Sequence, residues 1–288
     1  MSNMWTKSNR DGPISRFFYW IHARETVREQ KQSGRPAPWI NDPILQNYRF
    51  CNVVRMEDTV SQWLMKNWYK PYRDHPNMLI ACMLARFFNL PEALEAIGFP
   101  EEGSWEPADV RKILRARAKR GEKNFNSAYM IRGNEGIDKI ACVMNHTIAP
   151  TYRNRLKLDT DNMQTAHKQL LKVKGLGSFM AGQIVADYRQ AMSGNWYDAK
   201  TWAPIGPGSQ RGMARYYGDN TAKQKYSQEK FQHQLGLIMR LGEERLWSAI
   251  TDRMEAMDWQ NCLCEFDKYE RVRLGQGRPK RRYAGCPV

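Results

Sequence analysis

Apolar residues recur along this chain at helical spacing and almost never alternate. In Pro13–Gln32, Ile14, Phe17, Phe18 and Ile21 mark one apolar face; Arg24, Glu25 and Arg28 continue it as charge, His22 lies beside it, and Gly34 ends the helix. Asp58 stands where it can cap a helix over Thr59–Tyr69, with Val60, Trp63 and Leu64 inward. Met78–Asn89 is the most apolar segment and predicts a central buried helix, continued past Pro91 by Leu94 and Ile97 and closed by Gly98. Pro107 opens a helix over Ala108–Arg120. Ile137, Ile140, Ala141, Met144 and Ile148 predict an amphipathic helix that Pro150 ends.

Asp161 is expected to cap a helix running to Lys172, and a second helix follows to about Gln190. Ser209 is expected to cap a short helix ending at Gly218, and Gln224–Arg240, Glu243–Met257 and Asp258–Val272 read as three more. Between these elements lie Arg35–Tyr48, a proline-rich loop with a helix start at Asp42-Pro43, and Asn124–Gly136, a loop carrying Tyr129 and Arg132. Arg49–Asp58, RFCNVVRMED, fits neither helix nor strand. The expected fold is all-α, a single compact helical unit over 1–288 with approximate lobes 45–150 and 151–288 with 1–44.

Composition narrows the class. Hydrophobic residues make up 42% of the chain and there are ten tryptophans, enough for a sizeable core; the mean hydropathy of -0.72 reflects abundant Arg, Lys, Gln and Asn. A formal net charge of +15 and a pI near 9.6 point to nucleic acid as partner. No apolar run approaches the ~18 residues of a membrane span, and Met1–Pro13 lacks the apolar core of a secretory signal. Cys51, Cys82, Cys142, Cys262, Cys264 and Cys286 do not fall into metal-ligand spacing, so no protein metal site is expected and the thiols read as reduced, in a cytoplasmic protein. The cations of 108–120 suit a solvated face or a phosphate-binding one, and the tail from Arg273 is basic and rich in Gly and Arg.

Candidate chemistry concentrates in 170–211. Leu170, Val173, Gly175-Leu176-Gly177, Ala181, Ile184 and Val185 fit two helices joined by a glycine turn. Gly175 and Gly177 permit a tight turn and close backbone approach. The turn opens a helix whose free N–H groups favour an anion, and Lys172 and Lys174 add charge; a DNA phosphate is the expected occupant. Asp198 follows in NWYDAKTW, as a catalytic carboxylate or a helix cap; Asp187, on the second hairpin helix, is a rival read as a solvent-facing or capping residue. Gly206–Gly212, GPGSQRG, offers glycines, the Ser209 hydroxyl, a helix start and Arg211, which suits an anion nest or a plain loop capped by Ser209.

The hairpin with Asp198 resembles the helix-hairpin-helix DNA glycosylases, in which a catalytic aspartate follows the hairpin at about this distance. The resemblance implies two helical lobes with a cleft between them. Ser178 and Phe179 stand where lyase-type members carry lysine, and the four-cysteine iron–sulfur spacing is absent, so Schiff-base chemistry is not expected. More specifically, Pro38–Asp58, the hairpin, DAKTWAPIGPGSQRG and Asp258–Tyr283 resemble the α-glutamyl/putrescinyl-thymine pyrophosphorylase family of bacteriophages, the amino acid:DNA transferases, over most of the chain. The RFxNVxRxxD block is shared with helical domains attached to hydroxymethyluracil DNA kinases, whereas no GxxxxGK[ST] phosphate loop occurs here, so kinase activity is not expected of this chain.

What this second resemblance implies is displacement of pyrophosphate from 5-(pyrophosphoryloxymethyl)uracil in double-stranded DNA by a free amino acid such as glycine, or a polyamine, in an infected bacterial cell, with a DNA base kinase in the same pathway. On that reading Arg211, Ser209, Gly208, Arg49 and Arg55 neutralise the leaving group, with a divalent metal as a candidate helper. Asp198 or His22 takes the amine proton, Asn52 or Trp202 reads the flipped base, and Arg24 lies at the pocket rim. A glycosylase and a non-catalytic DNA-binding subunit are the alternatives.

Overall fold

The computed structural model describes residues 11–126, 138–158, 161–192 and 196–283. Every regular element among them is helical, as expected; the one extended pairing is an isolated bridge between Tyr48 and Arg282. Among the described residues no helix is long and apolar enough to cross a membrane. The chain forms two compact units, one from 1–58 with 199–288 and one from 59–198. The hairpin therefore belongs to the central unit, not with the terminal helices as the expected lobes 45–150 and 151–288 would place it.

α1 (Pro13–Gln32) has the expected bounds, and its aromatic positions Phe17, Phe18 and Trp20 are fully buried. α2 (Pro43–Asn47) is capped by Asp42, whose other oxygen accepts the hydroxyls of Tyr19 and Tyr269.

In the central unit, α3 (Thr59–Trp63) runs on into a π-helical segment, Leu64–Tyr69. α4 (Met78–Phe88) is buried at every position, and α5 (Pro91–Ile97) ends at Gly98, as its sequence predicts. α6 spans Pro107–Lys119 and α7 Lys139–Val143; a π turn over Met144–Ile148 leads directly into α8 (Ala149–Arg153). Pro150 thus does not end this helix. It sits in the first turn of α8, where its missing N–H costs little. Most of the expected 124–136 loop, with Tyr129 and Arg132, lies outside the described residues.

α9 (Met163–Leu170) and α10 (Ser178–Ala191) are the hairpin helices. Asn162, not Asp161, caps α9 through the Thr165 N–H. Asp187 is buried, not solvent-facing: Arg86 binds it through Nε and, at 2.6 Å, Nη2, and the Tyr69 hydroxyl donates to it at 2.6 Å. A paired carboxylate can be buried among helices where a lone one could not.

The remaining helices are α11 (Pro207–Tyr216), α12 (Gln228–Arg245), α13 (Ser248–Thr251) and α14 (Ala256–Arg273). α12 runs past the expected end at Arg240 because Gly242 is no breaker: a Cβ there would run into the Trp259 indole, so the glycine admits α14 close to α12. Phe17 meets Tyr216 and Phe266 edge-on at 5.4 and 5.3 Å, joining α1, α11 and α14 in one core.

Candidate functional site

The GPGSQRG turn is shaped first by packing. Gly206, not Ser209, is the N-cap of α11. Ser209 is fully buried; its Oγ accepts from the Gly206 N–H at 3.0 Å and from Gln260 Nε2 at 3.0 Å, and donates to the Gly206 carbonyl. A Cβ at Gly208 would strike Cys264 Sγ, and one at Gly212 would strike the Leu263 carbonyl. These two glycines lie one turn apart on the face of α11 that α14 covers. Gly208 and Ser209 thus serve the α11–α14 contact.

Arg211 behaves differently. Its Nε donates to Asp267 Oδ2 at 2.9 Å while its side chain stays 42% exposed. Asp267 is fully buried, and Arg215 Nε takes its other oxygen at 2.7 Å. Arg271 Nε approaches Oδ2 at 3.4 Å from one turn along α14. Three guanidiniums around one carboxylate leave surplus positive charge, half-exposed on Arg211 and Arg271 and buried on Arg215. Sequence reading missed Asp267; the Asp267/Arg271 pair at i,i+4 was the available signal.

The RFCNVVRMED loop is held by the end of α1 and by α14. Arg24 is buried; its Nε donates to the Phe50 and Cys51 carbonyls at 3.3 and 3.0 Å, and its Nη2 donates to Asn52 Oδ1. Arg24 Nη1 is buried with no hydrogen-bond partner among the described residues. Asn52 Nδ2 in turn donates to the Glu57 carbonyl at 2.8 Å. From α14, Glu265 accepts the Cys51 N–H at 3.1 Å and pairs with Lys268 at 2.5 Å, and Asp258 accepts the Arg55 N–H at 2.7 Å. Burial raises Asp258 to about 6, against opposing hydrogen bonds from the Glu255 and Arg55 amides. Glu25, Arg28, Glu57 and Arg253 form a further ion network beside it; the sequence marked Glu25 and Arg28 as charge on the α1 face but not their partners Glu57 and Arg253.

The structure therefore brings Arg24 and Asn52 together and places Arg55 on the same loop. Arg49 is exposed, with its guanidinium 5.3 Å from the Tyr283 ring centroid, so it lies on the outer surface of the loop. His22 meets Trp247 edge-on at 4.5 Å, and burial lowers its pKa, which favours the neutral imidazole near pH 7. Trp202 is buried in the stretch leading to α11.

In the central unit, Asp198 is buried and grips the start of α9: its Oδ1 accepts the Met163 N–H at 2.8 Å and its Oδ2 the Gln164 N–H at 3.0 Å. Lys172, Lys174, Gly175 and Gly177 are exposed on the turn between α9 and α10. Gly175 has φ +89 and no room for a side chain, since Thr147 Oγ1, which donates to the Lys174 carbonyl at 3.0 Å, lies against it. Gly177, the N-cap of α10, faces open space. His167 Nε2 and the Ser178 carbonyl, 3.0 Å apart, tie the two helices together.

Among the described residues no three His, Cys, Asp or Glu side chains group as a metal site. The family model for the 5-hmdU DNA kinase helical domain matches residues 13–278. A 5-hmdU DNA kinase of Bacillus phage SP10 is 25% identical, over 82% of this chain and 41% of the relative, so the chain spans less than half of that protein. No solved structure matches. The family match takes in nearly the whole described chain, including α1, the Arg49–Asp58 loop, the hairpin and the α11–α14 pair: the chain belongs to the 5-hmdU DNA kinase helical-domain family.

Proposed function

We propose that this chain is a phage DNA-modifying enzyme that makes a hypermodified thymine, and that it does so by displacing pyrophosphate from 5-(pyrophosphoryloxymethyl)uracil in DNA with an amine. The amine nitrogen bonds to the exocyclic methylene carbon, the carbon–oxygen bond breaks with its electron pair leaving on pyrophosphate, and the amine gives up one proton. The barrier lies mainly in charge on the leaving oxygens, so fixed cations are the chief requirement.

The observation that carries this reading is the arginine group on Asp267. Arg211 is hydrogen-bonded and Arg271 ion-paired to a buried carboxylate, yet both side chains stay partly exposed, a pre-organised seat for a polyanion. Arg24 Nη1 has no hydrogen-bond partner among the described residues, and Asn52 keeps a second lone pair on Oδ1 and a second N–H on Nδ2, the amide-type donors and acceptor that a uracil edge needs. For the proton, His22 is the stronger candidate: it is biased to the neutral form, whereas both Asp198 oxygens already hold the N-terminus of α9. A divalent ion would rest largely on the substrate's own oxygens, as magnesium does with phosphates.

A kinase acting on hydroxymethyluracil in DNA, the activity in the relative's name, would be the step that precedes this one. That name also supports a second reading, a DNA-holding helical module that serves a kinase without chemistry of its own.

Incubation with duplex DNA bearing the pyrophosphorylated base and pooled amines, followed by nucleoside mass analysis and pyrophosphate assay, separates the readings. A new amine-bearing nucleoside with stoichiometric pyrophosphate is expected. Abasic sites would instead indicate a glycosylase, and DNA binding without any pyrophosphate release leaves only the helical module.

A further inference from the structure

The tail after α14 is drawn back onto the loop that follows α2. The Tyr283 N–H donates to the Asn47 carbonyl at 3.1 Å, the Arg49 N–H donates to the Arg281 carbonyl at 3.1 Å, and Tyr48 bridges Arg282. This pairing gathers cations from three separate stretches. Lys31, at the end of α1, and Arg49 lie 5.7 and 5.3 Å from the Tyr283 ring centroid; Arg282 lies 5.3 Å from that of Tyr48. Trp39 meets Tyr283 edge-on at 5.1 Å, and its indole N–H donates to the Arg35 carbonyl at 2.8 Å, which holds the Arg35 backbone beside this face. Arg278 and Lys280 are exposed along the tail. Asp42 in these stretches is buried and engaged by Tyr19 and Tyr269, and Glu29, exposed near Lys31, lies 3.8 Å from Arg28.

We infer that this face, Lys31, Arg35, Arg49 and Arg282 with the tail, is a second DNA-binding surface, separate from the α9–α10 turn, that grips the phosphate backbone of duplex DNA. The inference takes from the proposed function only that the substrate is DNA; it does not depend on the reaction. Two features select the ligand. The charge is predominantly positive and clustered, with Glu29 already paired to Arg28, the footprint of a polyphosphate backbone. The Tyr48 and Tyr283 rings are covered by cations, so they stiffen long basic side chains instead of offering open faces for unstacked bases. Binding should therefore be insensitive to sequence and steep in salt.

The test is fluorescence anisotropy of the full chain on an unmodified 20-base-pair duplex across a salt series. The Lys31→Gln, Arg49→Gln, Arg282→Gln triple variant is expected to lower the log–log salt slope by about 3, near 0.9 per lost contact, and to weaken low-salt binding on the order of 10- to 100-fold. The triple Lys31→Arg, Arg49→Lys, Arg282→Lys should keep the slope. Should the first triple melt early, Arg278→Gln with Lys280→Gln substitutes for it, with an expected loss of about 2. An unchanged slope in a folded variant overturns the proposal. Loss on single strands but not on duplex overturns it as well. Pyrophosphate release is not measured, so a failed transferase assay leaves this result standing, and the reverse.

Discussion

Asp198 Oδ1 accepts the Met163 N–H at 2.8 Å, which makes the aspartate that the hairpin motif singles out a clamp on the first turn of α9. Replacement by Asn keeps one acceptor but turns an amide donor toward the amide that the other oxygen now receives. Asp198→Asn is expected to cost about 1–2 kcal/mol in chemical denaturation, the range of a lost cap. If Asp198 is also the base, pyrophosphate release at a temperature where the variant is folded falls by about 100-fold or more. A matched loss in melting temperature with an unchanged rate assigns it to the clamp alone.

Gly212 and Gly208 face the same partner but differ in what they touch. Gly212→Ala meets Leu263 backbone, which cannot rotate away, and should cost about 3 kcal/mol or more; Gly208→Ala meets the Cys264 thiol, which can be removed. The double variant Gly208→Ala, Cys264→Ala should recover most of the loss of the single one, read as a coupling energy in urea melts.

Arg211 and Arg215 share Asp267 but differ in exposure, 42% against 3% at the side chain. Arg215→Met should lower stability by about 3 kcal/mol, because it strips a buried carboxylate of a partner. Arg211→Ala should leave the melting temperature within a few degrees and slow pyrophosphate release by about 100-fold, the loss expected for one charge-stabilising donor. Equal stability losses would make Arg211 structural.

Asp258 gives the fold a pH dependence. Its ordinary value of 3.8 rises to about 6 through burial. A raised carboxylate binds its proton more tightly in the fold, so its contribution is full below pH ~4 and is lost as pH climbs through about 6, on the order of 2–3 kcal/mol. Asp258→Asn should flatten the stability profile between pH 4 and 7 relative to the parent, measured by urea unfolding at fixed ionic strength.

Gly177 is a clean probe of the hairpin because a Cβ there meets nothing within 4 Å. Gly177→Val should keep the melting temperature within a few degrees and weaken duplex binding about tenfold by blocking phosphate approach. Gly175→Val, by contrast, should unfold the turn, since φ +89 and Thr147 both oppose it. Unchanged affinity in Gly177→Val removes the turn from the interface.

The helices themselves were legible in the sequence. The 3.6-residue apolar period fixes α1 and α4 almost to the residue, because the face a helix buries is written at fixed intervals along it. Pro and Gly were weaker guides. Pro150 lies inside a helical run and Gly242 inside α12, since a proline in a first turn costs little and a glycine can be kept for what packs on it. The site was legible only in its residue types. RFCNVVRMED and GPGSQRG announced polar chemistry, but Asp267 reads locally as one more charge on an amphipathic helix, and Asp187 as a surface residue. Apart from Arg271, the cations those carboxylates hold lie 52 to 101 positions away. Local spacing fixes what a helix must bury, so the sequence alone determined an all-helical, strongly basic chain. Charge pairing acts through space, so only the tertiary structure decided that Arg211 is half free, Arg215 is spent, and Asp198 holds a helix end.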